Sequence, residues 1–334
     1  MSEQSDRETY SRRTIIAAAA GAASVALMSE PVVAAGTLPA EPKGLPGIWN
    51  EVPRIPLWPG RPPESGFVAQ PMAADYPKIF VRNVAQPELR VFVPAQSNGR
   101  SLLSIPGGAY TFVSVGNEGV DVARSFTAQG YTVYVLVYRL PGEGWTHRAD
   151  VPLQDAQRAV RVVRAQARAR RLDPAAVSVV GFSAGGHLAA TLATDVAATP
   201  GTPRPDQIDD EDSRPACVGL IYPVISHAPG IGHAESTRQL LGASPDATTI
   251  ARRSPASHVT PTTPPIFLAH ALDDPAVPAE NSLIMMRAMQ AAKRPVEAHF
   301  FERGGHGFGI GTPSLPASAW PELFRRWLDD HANI

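Results

Sequence analysis

The spacing of apolar and polar positions changes period several times along the chain. "KIFVRNV" (78–84) and "LRVFVP" (89–94) alternate apolar with polar residues, a period of two that predicts antiparallel strands. "SLLSI" (101–105) predicts a short buried strand. "YTVYVLVY", Tyr131 to Tyr138, is a continuous apolar and β-branched run, as expected of a strand covered on both faces. "AVSVVGF", "CVGLIYPV", "IFLAHAL" and "VEAHFF" predict further strands. Helices are predicted over Val120–Ala128, Pro152–Arg170, Ala184–Ala193, Ala279–Ala292 and Ala319–Asp330. Strand–helix alternation of this kind implies an α/β chain with an open, mostly parallel sheet. No internal repeat is visible.

Two segments fall outside this rhythm. Residues 1–35 read as a signal peptide: Arg12 and Arg13 precede a short alanine-rich apolar run, and Val33-Ala34-Ala35 offers a small-residue cleavage site. The arginine pair followed by Thr14, Ile15 and Ile16 has the twin-arginine layout of bacterial export. The apolar run is short for a bilayer, so an anchor is the weaker reading and no stable membrane span is expected in the mature chain. The expected location is the periplasm or the exterior. Residues 36–63 form a Pro-rich arm in which neither regular helix nor central strand is expected. Trp49 and Trp58 imply that it packs on the catalytic domain, 64–334.

Hydrophobic residues make up 44% of the chain and charged residues 18%, which predicts a well-filled core. The formal net charge of -1 argues against a nucleic-acid partner or an anionic membrane surface. It also makes the row Arg158, Arg161, Arg164 and Arg168 a solvated helix face rather than a basic groove. The acidic stretch 200–215 reads as a surface insertion. The single cysteine, Cys217, lies in an apolar run and predicts a buried, inert thiol without a disulfide.

"VVGFSAGGHLAA" (179–190) concentrates the chemistry. A strand meets Gly181, Phe182, Ser183, Ala184 and Gly185, and a helix follows. That context is the condition for a nucleophile elbow, with a strained serine exposed at a helix N-terminus where negative charge is favoured. A serine hydroxyl needs a base to take its proton. In this arrangement a carboxylate and then a histidine come later in the chain. Asp273 and Asp274 follow the strand "IFLAHAL", and His306 lies between glycines after "VEAHFF". His187, His270 and His299 sit within elements and read as packing or supporting residues, while His147, His227, His233 and His258 fall in loops. Ala184 supplies one backbone N–H to an oxyanion, and the loop "IPGGAY", with Gly107 and Gly108, is placed to supply another. No metal-ligand spacing appears, so no metal is expected.

"PGGAY", "GFSAGGH", "HALDDPAVP" and "GGHGFG" together resemble the α/β-hydrolase superfamily, and within it the esterases related to acetyl xylan esterases and to hormone-sensitive-lipase-type carboxylesterases. The resemblance runs from about Leu57 to the C-terminus. It implies a mostly parallel eight-stranded sheet flanked by helices, serine esterase activity and no cofactor. By motif it makes Ser183 the nucleophile, Asp274 the acid and His306 the base, with Asp274 standing three before Val277. The oxyanion donors it implies are the N–H groups of Gly108, Ala109 and Ala184. "PGGAY" in place of His-Gly-Gly-Gly favours the acetyl-xylan-esterase-like branch.

The expected substrate is a short-chain, acetyl-bearing ester, either small or on a xylan-type saccharide. Tyr110, Trp145 and Phe308 are candidates to wall the site or to stack on a sugar. Two other readings compete with this one. A prolyl-oligopeptidase-type peptidase normally adds a large propeller for which 334 residues leave no room. An inactive binding protein on a hydrolase fold is disfavoured by the complete set Ser183, Asp274 and His306. Oligomeric state is left open by the sequence.

Overall fold

The computed structural model describes residues 47–195 and 205–331. The leader, the first part of the arm and the head of the acidic insertion lie outside the described residues. In chain order the described part opens with α1 (Ile48–Glu51) and β1 (Arg54–Pro56). β2 (Phe80–Val81), β3 (Glu88–Phe92), β4 (Ser101–Ile105), β5 (Val113–Ser114) and α2 (Asp121–Thr127) follow. Strand and helix then alternate through β6 (Thr132–Val137), α3 (Val151–Ala167), β7 (Val177–Phe182), α4 (Ser183–Thr194) and β8 (Val218–Ile221). Two short helices, α5 (Ala234–Leu241) and α6 (Ala247–Arg252), precede β9 (Ile266–Ala271), α7 (Glu280–Ala291), β10 (Val296–Phe301) and α8 (Trp320–His331).

The continuous apolar runs become the middle of an eight-stranded sheet in the order β1-β3-β6-β4-β7-β8-β9-β10. β1–β3 and β3–β6 are antiparallel, and every other neighbouring pair is parallel. β4, β6, β7, β8 and β9 are buried along their whole length, as parallel strands covered by helices on both faces must be. This is the α/β-hydrolase arrangement that the motifs imply. No helix among the described residues is long and apolar enough to cross a membrane.

The strand count agrees with the sequence, but one member differs. "KIFVRNV" does not pair with "LRVFVP". Its residues Phe80 and Val81 form a separate two-stranded ribbon with Val113 and Ser114. The eighth place goes to β1, an edge strand supplied by the Pro-rich arm, in which the prolines rule out a central strand but not an edge one. Pro56 has no N–H to give, which an edge strand tolerates. Arg54 and Arg90 hold this edge by ion pairs of 2.6 and 2.7 Å to Glu88. The arm also contains the single turn α1, whose Trp49 is buried beneath the Arg90 guanidinium, 4.8 Å from its ring. Farther along, Trp58 Nε1 donates to Asp155 Oδ1 at 3.0 Å, and Asp155 forms a fully buried ion pair with Arg139.

The arginine row on α3 is not a solvated face. Arg158 is almost fully buried and pairs with Asp206 at 2.6 Å and Asp209 at 2.9 Å. Arg161 and Arg164 donate to the carbonyls of Glu211, Asp212 and Arg214. Arg168 alone remains exposed. Whole-chain charge hid this, because the basic row and the acidic insertion neutralise one another locally.

Candidate active site

β7 lies near the centre of the sheet, and its carboxyl end carries the corner. Phe182 is still extended, with φ -121° and ψ 131°. Ser183 turns to φ +52°, a strained value for a residue with a Cβ, and is the first residue of α4. The glycines are required by close approach. A Cβ on Gly185 would meet the carbonyl oxygen of Ile105 at 2.2 Å, and one on Gly181 would meet Ala189 Cβ at 2.5 Å. Strand, loop and helix therefore close around a serine that is 6% exposed.

His306 reaches this serine from the loop after β10, with Nε2 at 2.9 Å from Ser183 Oγ. Its Nδ1 lies 2.7 Å from Asp274 Oδ2. The other oxygen, Asp274 Oδ1, accepts from the amides of Ala276 and Val277 at 2.9 and 2.8 Å. His270 Nε2 lies 3.3 Å from Oδ2 and 2.9 Å from the Val277 carbonyl oxygen. Burial opposes charge on Asp274. The bonds from His270, His306 and the Val277 amide outweigh it and hold the carboxyl well below the usual carboxylate range. Asp273 points elsewhere: its Oδ1 accepts from the amides of Gly304 and Gly305 at 2.9 and 2.8 Å, and so shapes the turn that carries His306.

The loop after β4 approaches the elbow from the other side. Gly107 sits so close that an added Cβ would meet Phe182 O at 2.6 Å and Ser183 Cβ at 2.9 Å. Its own N–H is taken by Glu118 Oε2. Gly108, Ala109 and Tyr110 follow with φ of +121°, +55° and +59°. Two successive non-glycine residues in the left-handed region need an anchor. Tyr110 provides it, its hydroxyl lying 2.8 Å from His187 Nδ1 on α4. His187 Nε2 is 2.8 Å from the Arg253 carbonyl oxygen and 3.0 Å from His227 Nε2. Burial pushes His187 down to about 4 and His227 lower still, so both rings are neutral.

These contacts revise the aromatic wall. Tyr110 is 1% exposed and bonded to His187, so it cannot stack on a sugar. Trp145 is also buried, with its ring against Phe67 and the Arg139 guanidinium. Phe308 packs edge-on to Tyr222, whose ring centre is 5.0 Å from that of His306. Phe308 is as buried as Trp145, and of the three it is the one linked to His306, through the Tyr222 ring. His233 caps the N-terminus of α5, with Nδ1 2.9 Å from Ser236 Oγ, and partial burial pushes its imidazole below the ordinary value. Cys217 is buried and its thiol is pushed up to about 12 by burial. Among the described residues no group of His, Cys, Asp and Glu is placed to hold a metal ion.

Sequence reasoning passed over Glu118, Tyr222 and the cap formed by Asp273. Glu118 stands between Asn117 and Gly119, just before the predicted helix, and nothing in its spacing distinguishes it from a surface acid.

The BD-FAE family model matches residues 89–289. An acetylxylan esterase of Xylanibacter ruminicola is 31% identical over 274 residues, which are 80% of this chain and 52% of that protein. An endo-1,4-beta-xylanase B of Butyrivibrio fibrisolvens is 34% identical over 226 residues, 66% of this chain and 34% of that protein. The chain thus spans about half the length of the first relative and about a third of the second. Among solved structures, the acetyl ester-xyloside bifunctional hydrolase of Caldicellulosiruptor lactoaceticus superposes with a TM-score of 0.69 at 32% identity, over 83% of this chain and 96% of that one.

Proposed function

The chain belongs to the BD-FAE family, and on that footing we propose that it is a serine carboxylesterase that removes short acyl groups, acetyl foremost, from acetylated xylan-type saccharides. The observation that carries this reading is the unbroken row from Ser183 through His306 to Asp274, at 2.9 and 2.7 Å. The names of the relatives supply the substrate class: one is an acetylxylan esterase and another an acetyl ester-xyloside hydrolase.

In this mechanism His306 Nε2 accepts the hydroxyl proton as Ser183 Oγ attacks the acyl carbonyl carbon. Asp274 orients the imidazole and stabilises its charged form. The tetrahedral oxyanion is received by the amides of Ala184, Gly108 and Ala109, the first of them at the positive end of α4. The imidazolium returns its proton to the leaving sugar oxygen as the C–O bond breaks, leaving acyl-Ser183. Water then attacks the acyl carbon and gives a proton to His306. Collapse of this second intermediate releases the carboxylic acid and restores the serine hydroxyl.

Export by the twin-arginine-like leader is part of the proposal and would bring the enzyme to polymeric or oligomeric substrates outside the cytosol. The test is a set of 4-nitrophenyl esters of increasing acyl length, run beside acetylated xylo-oligosaccharides. The reading expects the acetyl and propionyl esters to be cleaved best and acetate to be released from the saccharide. Faster cleavage of octanoyl than acetyl ester would replace it with a lipase-like one.

A further inference from the structure

Glu118 is an acid that the proposed mechanism does not use, yet it is 4% exposed and lies in a five-residue π-helical turn, Gly116–Val120, beneath the site. A carboxyl this deep is costly unless its oxygens are bonded. Both are. Oε2 accepts from the Gly107 amide at 2.6 Å, and Oε1 accepts from the Tyr222 hydroxyl at 2.9 Å. The Tyr222 oxygen in turn accepts from the Gly309 amide at 3.0 Å, in the loop that carries His306. The same turn makes a parallel link, because Asn117 Nδ2 donates to the Gly307 carbonyl oxygen at 3.1 Å. The turn is itself pinned, with Ser104 Oγ donating to the Glu118 carbonyl oxygen at 2.6 Å.

The link to Gly107 has a direct geometric consequence. Peptide units are planar, so the direction of one N–H is fixed by the carbonyl of the residue before it. Pro106 O accepts from the Tyr138 hydroxyl and Gly107 N–H is held by Glu118, which fixes the plane between Pro106 and Gly107. Gly107 O accepts from the Ser114 amide at 3.0 Å, which fixes the next plane and with it the direction of the Gly108 N–H. The Glu118 carboxylate is thus one fixed point for the donors on one side of Ser183. Through Tyr222 it is also a fixed point for the histidine loop on the other side.

We propose that Glu118 is a positioning residue: it bridges the loop of Gly107–Ala109 to the loop of His306, so that oxyanion donors and base hold one mutual geometry. The inference rests on the esterase reading of the site. It predicts a loss expressed in the transition state rather than in ground-state binding, since misplacing donors by a fraction of an ångström weakens contact with the oxyanion above all.

The test uses the full chain and its Glu118→Gln and Tyr222→Phe variants. It measures kcat and KM for 4-nitrophenyl acetate, and inhibition by an aryl trifluoromethyl ketone, which forms a tetrahedral adduct on the serine. Glu118→Gln is expected to lower kcat by about 10–100-fold, the size of effect seen when remote changes misplace reacting groups by about an ångström, with KM changed less than about threefold. The ketone should weaken in proportion to kcat/KM. Tyr222→Phe removes only the arm to the histidine loop and should lower kcat by about 3–10-fold in the same pattern. Wild-type kcat in Glu118→Gln, or a loss confined to KM, overturns the proposal. If Glu118→Gln does not fold, Tyr222→Phe decides, and wild-type kcat there overturns it. A wild-type chain inactive on the acetate ester overturns the esterase reading instead.

Discussion

His306 Nδ1 lies 2.7 Å from Asp274 Oδ2, while the adjacent carboxylate of Asp273 turns away to accept two glycine amides in the histidine's own turn. Two neighbouring acids thus have different tasks. Asp274→Asn should lower kcat by about 10³–10⁴-fold, because an amide cannot stabilise the imidazolium and favours the wrong tautomer. Asp273→Asn keeps an oxygen for the Gly304 and Gly305 amides and should stay within about tenfold of wild type. Steady-state rates on 4-nitrophenyl acetate check this. Equal losses would show that the carboxylates are not divided as described.

Gly107→Ala should cost both activity and stability. The new methyl meets the Phe182 carbonyl oxygen at 2.6 Å, and backbone there cannot swing aside as a side chain could. Overpacking of this kind costs about 1–3 kcal/mol. The shift also pushes the donor loop away from Ser183, so kcat should fall by more than the melting temperature alone explains. Thermal unfolding and kinetics on the same sample test it, and an unchanged kcat would mean that the loop does not depend on this contact.

Stability should decline in mild acid. His187 is held down to about 4 in the folded chain, against an unfolded value near 6.5, and His227 is also lowered. Between those values the unfolded chain binds protons that the folded one refuses, so stability falls as pH drops from about 6.5 toward 4. Asp274 adds to the same trend at lower pH, since its lowered carboxyl favours folding only while ionised. Urea midpoints measured from pH 7 to 4 should fall steadily, and less steeply in His227→Gln. A flat profile across that range would contradict buried neutral rings.

Arg158→Ala should unfold the chain more readily while sparing the chemistry. Its guanidinium is the buried partner of Asp206 and Asp209 and also donates to the Leu57 carbonyl oxygen of the arm. Removing one member of a buried ion pair costs about 3–5 kcal/mol. The folded fraction should retain wild-type kcat for 4-nitrophenyl acetate, and a stability loss below about 1 kcal/mol would show that the acidic segment is not held by this row.

What the sequence made legible was local. The strand into Gly181 and the helix out of Gly185 announce the corner because both periodicities and both glycines fall within a dozen residues. Asp274 and His306 follow strands in the expected order, so their meeting at Ser183 could be anticipated. The pairing of "KIFVRNV" could not, since alternation marks a strand but not its partner, and Phe80 joins Ser114 rather than the adjacent strand. The burial of Arg158 escaped notice because its acids lie 48 residues and more along the chain. Glu118 escaped for the same reason: its partner Tyr222 is 104 residues away, and a buried acid between polar and glycine neighbours looks like a surface one. Tyr110 remains a candidate wall residue in the sequence because nothing local shows that its hydroxyl is claimed by His187.

The central claim is that Ser183 is the acyl-accepting nucleophile. Its most direct measurement is mass spectrometry of the intact chain, and of its peptides, after reaction with an aryl fluorophosphonate, followed in parallel with loss of 4-nitrophenyl acetate hydrolysis. The account predicts one adduct per chain, carried on the peptide containing Ser183 and absent from Ser183→Ala, with inactivation proportional to labelling. Hydrolysis that survives complete labelling, or a Ser183→Ala chain that retains more than about a hundredth of wild-type kcat, would contradict it.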